Sequence, residues 1–213
     1  MTKLSDIRKN YTKSELLIEN VDQDPIKQFD QWFNEAIESQ VPEPNAMTLS
    51  TINAAGRPTS RIVLLKGIEQ NKFLFFTNYQ SSKGKELEQN PACALNFFWP
   101  ELERQVRIEG IAERIEENAS TAYFKSRPRG SQIGAWASPQ SSVIKDRETL
   151  EKRVAELEEK YKDAEVLPKP NQWGGFAVEA FQIEFWQGRA NRLHDRLVYI
   201  LHDGAWQISR LAP

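Results

Sequence analysis

The sequence predicts an α+β fold, mainly β: an antiparallel barrel with flanking helices. Three observations carry this. Residues 46–115 alternate short β-branched and aromatic runs with turn residues, and a helical stretch follows them. Strand-like runs then return near the C-terminus around Asp203-Gly204, a strong two-residue hairpin signal. With 213 residues, 39% of them hydrophobic and 27% charged, the chain is globular and can bury one sizeable core rather than two.

Residues 1–22 are polar without a persistent period, so they are expected to form a mobile N-terminal arm before a single domain over 23–213. Asp24 as N-cap and Pro25 at the first helical position open a helix with Ile26, Phe29, Phe33 and Ile37 on one stripe, and VPEPN stops it. Strands are expected in AMTLSTI, TSRIVLLK, KFLFFT, ACALNFFW and ERQVRIEGIAERI, with NAAGRP as the first turn. A short helix, SSKGKELEQN, interrupts them at 81–90. Its Lys83 and Lys85, beside the free N–H groups of a helix start, form a candidate anion grip, although a solvated turn carries the same residues. Helices follow around ASTAYFKSR and SQIGAWAS, and a third spans 146–162 with Leu150, Val154, Leu157 and Tyr161 on one stripe. GGFAVEAFQIEFW, RLVYILH and AWQISRL complete the strands.

Composition removes several function classes. A net charge of −2 gives no general attraction for nucleic acid or an acidic membrane, so any anion site is local. No stretch reaches the roughly 20 apolar residues of a membrane span, and the N-terminus lacks a signal-peptide core. The single cysteine, Cys93, cannot form an internal disulfide and fits a reducing compartment, so a soluble cytoplasmic protein is expected. There is no glycine-rich dinucleotide fingerprint, phosphate loop, HExxH, paired CxxC or GxSxG elbow. Two histidines and one cysteine make no ordinary zinc site, and no metal is expected.

What remains is a scatter of basic, hydroxyl and amide residues at strand ends and on helices. Arg61, Lys66, Thr77, Lys83, Gln105, Tyr123, Arg127, Ser131, Gln140, Ser141, Arg192, His194 and Arg196 suit phosphate recognition, and they suffice for two phosphates. If NRLHDR is extended, Arg192, His194 and Arg196 share one face, either as an anion site or as a charged edge that resists aggregation. Arg61 and Lys66 differ in parity along SRIVLLK. They serve different phosphates, or a bulge or the strand end redirects one of them.

Four motifs carry a resemblance: RIVLLK at 61–66, FTN at 76–78, YFKSRPRGSQIGAWAS at 123–138 and FWQGRANRLHDR at 185–196. In order and spacing the chain resembles the pyridoxine (pyridoxamine) 5'-phosphate oxidase family over almost its whole length, from Arg8 to the terminal RLAP. The resemblance implies a split β-barrel working as a homodimer, with FMN held between subunits. It also implies oxidation of pyridoxamine or pyridoxine 5'-phosphate to pyridoxal 5'-phosphate, with dioxygen reduced to hydrogen peroxide.

By that resemblance, FMN contacts fall on Arg61, Ile62, Val63, Leu64, Leu65 and Lys66, on Phe76, Thr77, Ser82 and Lys83, and on Gln105, Gln140, Ser141, Trp186 and Arg196. Lys66, Tyr123, Arg127 and Ser131 would hold the substrate phosphate. Arg192 and His194, with Leu193 between them, would lie beside the pyridine ring and act in catalysis. Arg8, Lys9, Asn10 and Tyr11 resemble a segment that closes over the substrate. Ser82 stands where the family often has arginine, which removes one expected charge from the FMN phosphate and leaves a hydroxyl donor. Phe76 stands where tyrosine also occurs.

Two other readings are distinguishable. A non-catalytic flavin- or pyridoxal-phosphate-binding module would not need the second phosphate pocket that Tyr123, Arg127 and Ser131 suggest. A nucleic-acid-binding barrel finds no support in the negative charge.

Overall fold

The computed structural model describes residues 3–6 and 10–213. Arg8 and Lys9, assigned above to a closing segment, lie outside the described residues.

Helix α1 (Pro25–Glu38) starts as its sequence dictates. Asp24 is extended, its carboxylate accepts from the Ile26 N–H, and Pro25 loses nothing by lacking a donor there. The buried face differs from the expected stripe. Ile26 and Phe29 are buried, but Trp32 and Ala36 complete the face while Ile37 is 52% exposed. The reason is packing: Trp32 meets Phe185 edge-on and carries the Arg104 guanidinium over its ring, which rotates the helix toward Trp32.

Strands β1 (Ala46–Ile52), β2 (Pro58–Leu64), β3 (Gly67–Glu69), β4 (Lys72–Asn78), β5 (Ala92–Trp99), β6 (Arg104–Arg114), β7 (Trp173–Gln187), β8 (Asp195–His202) and β9 (Ala205–Leu211) form one antiparallel sheet. Its order is β2-β1-β5-β6-β7-β4-β3, with β8 and β9 continuing from β7. The sheet curls until β2 approaches β4, which gives the expected barrel. The core is aromatic: Phe29 contacts Phe33, Phe73, Phe97 and Trp99. Cys93 is buried within it.

Helices α2 (Ser82–Gln89), α3 (Glu117–Ser126), α4 (Arg129–Ala137) and α5 (Arg147–Lys160) lie where the sequence places them. A second, smaller core joins Phe124, Ile133, Leu167 and Trp173, with Val154, Leu157 and Tyr161 of the α5 stripe packed on it.

Three local expectations change. The 1–22 segment, expected to be mobile, is docked from Tyr11 onward. The Thr12 and Lys13 N–H groups donate to the Glu103 carboxylate, the Leu16 N–H donates to Asp195, and Leu16 is buried. NRLHDR is not extended. Ala190–Arg192 form a 3₁₀ turn with Asn191 and Arg192 in the left-handed region (φ 57° and 63°), and the strand begins only at Asp195, so Arg192, His194 and Arg196 do not alternate along one face. Finally, β2 stops at Leu64 and the chain turns through Leu65 and Lys66 into β3, so it is the strand end that redirects Lys66.

Replacing Phe29, which is fully buried, with alanine should destabilise the fold by about 3–5 kcal/mol, seen as a lower denaturant midpoint with an unchanged slope.

Candidate functional site

The chemistry-bearing residues gather in two places. The first is a cleft of about 410 Å³ walled by the end of β2 (Ile62, Val63, Leu64), Lys66, Phe76, Thr77, Lys83, Tyr123, Arg127, Ser131, Gln140 and Trp173. Its volume lies in the range usual for small-molecule sites. Phe76, Tyr123 and Trp173 cluster with near-parallel rings: Phe76 lies 3.9 Å from Tyr123 (22° between planes) and 5.4 Å from Trp173 (12°), and Tyr123 lies 6.2 Å from Trp173 (10°). The Arg127 guanidinium lies 4.6 Å above the Trp173 ring. Gly84 lets α2 approach closely enough to deliver Lys83: a Cβ there would sit 2.3 Å from the Tyr79 carbonyl oxygen.

The electrostatics of this cleft suit an anion. Lys83 Nζ and Thr77 Oγ1 both donate to Gln140 Oε1, each at 3.1 Å. Burial lowers the Lys83 pKa and the charge of Arg61 lowers it further, with Glu86 opposing. Burial likewise lowers the pKa of Arg127 and raises that of Tyr123. Arg127 NH1 is buried and has no hydrogen-bond partner among the described residues. An unpaired, desolvated guanidinium nitrogen in a cleft shared with the Tyr123 and Ser131 hydroxyls fits a phosphate oxygen from a bound ligand.

The second gathering is at the other end of β7. Gln105 pairs with Trp186, and Trp186 with Arg196, across the sheet. The His194 ring lies 4.6 Å from Trp186, and Tyr11 closes over both at 5.7 and 5.8 Å. The Arg189 N–H donates to His194 Nδ1 at 3.1 Å, which places the neutral ring's own proton on Nε2. Burial lowers the His194 pKa, and the Arg192 charge adds to this. The Arg196 guanidinium grips Glu184 through two bonds of 2.8 and 3.0 Å and donates to the Ala212 carbonyl at 2.9 Å. Arg192, Leu193 and Asn10 are exposed.

The two gatherings do not meet in one chain. Trp173 and Trp186 stand 13 residues apart on β7, roughly 40 Å along an extended strand. Other expected contacts lie off the cleft. Leu65 is buried in the core, Ser82 is exposed at the start of α2, and Ser141 is exposed with φ 69°. Arg61 turns to Glu86, Thr51 and Thr59. Sequence reasoning missed Trp173, Glu86 and Glu184. Only Trp173 carried a signal, as an aromatic residue opening the GGFAVE strand beside the polar PNQ turn.

An antiparallel split barrel with a basic, aromatic-walled cleft at one end of its longest strand defines the class. A family described as "Pyridoxamine 5'-phosphate oxidase" matches residues 33–161, and one described as "Pyridoxine 5'-phosphate oxidase C-terminal dimerisation region" matches 173–213. The chain belongs to the pyridoxine/pyridoxamine 5'-phosphate oxidase family. A relative of that name from Chromobacterium violaceum is 57% identical over 99% of this chain and 98% of its own length. Another, from Paraburkholderia phymatum, is 55% identical over all of both chains. Among solved structures, PhzG from Burkholderia lata 383, in complex with tetrahydrophenazine-1-carboxylic acid, superposes with a TM-score of 0.88 at 29% identity, covering 95% of this chain and 100% of that one. A pyridoxamine 5'-phosphate oxidase-related, FMN binding protein from Nostoc punctiforme shares the fold at a TM-score of 0.69 and 17% identity, covering 87% of this chain and 97% of that one.

His194 should titrate below its ordinary value of 6.5 when followed by NMR, and Arg192→Leu should move the midpoint upward while burial keeps it short of 6.5. Because folding favours the neutral ring, the stability tied to His194 is present above 6.5 and is lost as pH falls from there through the depressed value.

Proposed function

We propose that the chain is an FMN-dependent oxidase that converts pyridoxamine 5'-phosphate and pyridoxine 5'-phosphate to pyridoxal 5'-phosphate, with dioxygen reduced to hydrogen peroxide. The observation that carries the reading is the unpaired Arg127 nitrogen, in the same cleft as Lys66, Tyr123 and Ser131 and the Lys83–Gln140–Thr77 group. Two separate sets of phosphate-seeking donors in one cleft suit a substrate phosphate and a cofactor phosphate held side by side.

FMN, when bound, would supply the two-electron redox chemistry for oxidation at C4' of the substrate with dioxygen as the final acceptor. The chain's own residues bind and orient. Lys66, Tyr123, Arg127 and Ser131 take the substrate phosphate. Lys83, with Arg61 behind it, faces the FMN phosphate, while the Gln140 amide and the backbone of Ile62, Val63 and Leu64 suit the edge of a flavin ring. Holding two reactants in register can remove on the order of 7–11 kcal/mol of barrier. Arg192 orients the pyridine ring, and neutral His194 offers an Nε2 proton as a hydrogen-bond donor rather than an Nδ1 lone pair as a base.

The working form proposed is a homodimer. A two-fold partner would bring its Gln105, Trp186, Arg192, His194 and Arg196 to this chain's cleft, joining residues that lie toward opposite ends of β7 in one chain. The family match over 173–213, described as a dimerisation region, covers β7 to β9 and supports this. Residues 23–213 are read as one domain with 1–22 as an arm, and the seating of Tyr11 on Trp186 and His194 supports a role for the arm in covering the site. Among the described residues no helix is long and apolar enough to cross a membrane. Burial pushes the Cys93 thiol up to about 12, and with no second cysteine the chain suits the reducing cytoplasm.

A second reading rests on the PhzG likeness: a tricyclic ring acid in place of a phosphate ester. The cleft's phosphate-seeking donors favour the ester.

The purified protein should be yellow and consume oxygen with pyridoxamine 5'-phosphate. A colourless protein that FMN cannot reconstitute would sink the reading, and flavin binding without turnover would leave a binding module. Arg127→Leu should raise KM for pyridoxamine 5'-phosphate roughly 10- to 150-fold, the factor for losing a charged hydrogen bond of about 1.5–3 kcal/mol. On anaerobic mixing, Arg192→Leu should slow flavin bleaching far more than it weakens FMN retention.

A further inference from the structure

We infer that Glu86 is a positioning residue for the flavin phosphate: its buried carboxylate fixes the Arg61 guanidinium behind Lys83, so that the Arg61 charge is in place before the phosphate arrives. The inference rests on the FMN reading above.

Glu86 sits on the inner face of α2, 8% exposed, 25 residues from Arg61 in sequence. Its Oε2 accepts from Thr51 Oγ1 at 2.5 Å, from Thr59 Oγ1 at 2.8 Å and from Arg61 NH2 at 3.0 Å. Arg61 also donates to Thr51 Oγ1 and to Thr59 Oγ1, so carboxylate, guanidinium and two hydroxyls form a closed network. Arg61 stands on β2, the edge of the sheet, where an untethered arginine would keep its rotamer freedom. Ordering it before the ligand arrives removes that entropy cost from binding.

The Arg61 charge reaches Lys83 and lowers its pKa, and Glu86 is the carboxylate that opposes this. Burial pushes the Glu86 carboxyl up, but hydrogen bonds from Thr51, Thr59 and Arg61 outweigh it and hold the group below its ordinary value, so it stays ionised. One negative charge against two positive ones leaves the corner cationic, as an incoming phosphate requires. Ser82, exposed and uncharged, adds no cation to this corner, which puts the weight on Arg61 and Lys83.

The test is FMN affinity, read by flavin fluorescence on the full-length chain after the flavin is stripped, with thermal melting as the control for folding. Glu86→Ala should weaken FMN about tenfold or more while Glu86→Gln, whose amide oxygen accepts the same bonds, stays within about threefold of wild type. Arg61→Ala and the double variant with Glu86→Ala should bind alike, because Glu86 acts through Arg61. A folded Glu86→Ala that binds FMN like wild type overturns the inference. Equal losses in the Gln and Ala variants overturn it too, since charge rather than positioning would then be at work. Should Glu86→Ala not fold, Thr59→Ala removes one arm of the network from the edge strand, and unchanged FMN affinity there overturns the inference. A wild-type chain that does not bind FMN overturns the proposed function, and this inference with it.

Discussion

The structure depends on the pairing of β7. This one strand hydrogen-bonds to β4 and β6 along its first half and to β6 and β8 along its second, so barrel, cleft wall and C-terminal hairpin hang from the same backbone. The pairing has one local requirement. At the register shift between Glu109 and Gly110, a Cβ on Gly110 would lie 2.4 Å from the Glu179 carbonyl oxygen, so only glycine lets β6 and β7 close there. The long strand also dictates the layout of function. Trp173 at its start walls the phosphate-seeking cleft, and Trp186 near its end supports His194.

Each end handles its cations in the same way. Arg61 is tied to a buried glutamate on α2, and Arg196 to the buried Glu184 on β7, which also holds Arg107. In both places the carboxylate is nearly inaccessible, so the ion pair is a fixed part of the framework rather than a loose surface contact. Asp195 does similar work for the loop that carries Arg192 and His194. It accepts from the Leu16 N–H and from Arg210, and lies 3.5 Å from Arg189. The arm, the His194 loop and the C-terminal strand thereby share one anchor.

Much of this was legible in the sequence because it is local. Asp24-Pro25 marks the start of α1, the β-branched and aromatic runs mark the strands, and Asp203-Gly204 marks the last hairpin. The four motifs name the family and most of the cleft residues. What escaped is non-local. The rotation of α1 toward Trp32 depends on Phe185 and Arg104, far along the chain. The left-handed turn at Asn191 and Arg192 is held by contacts such as the Arg189–His194 bond, which the alternation of NRLHDR gives no hint of. Glu86 and Glu184 resemble any solvated glutamate until their partners are in place. The docking of the arm at Glu103 and Asp195 likewise pairs residues about 90 and 180 positions apart.

That the two ends of β7 belong to one site, joined across two chains, is tested most directly by complementation. Arg127→Leu impairs the cleft end and Arg192→Leu the other, so, assayed at substrate concentrations well below the wild-type KM, each homodimer should have little activity. When the two are co-expressed, half the dimers are mixed and each mixed dimer holds one wholly intact site, so activity should return to about a quarter of wild type. Recovery no greater than the sum of the separate variants would contradict a site shared between subunits.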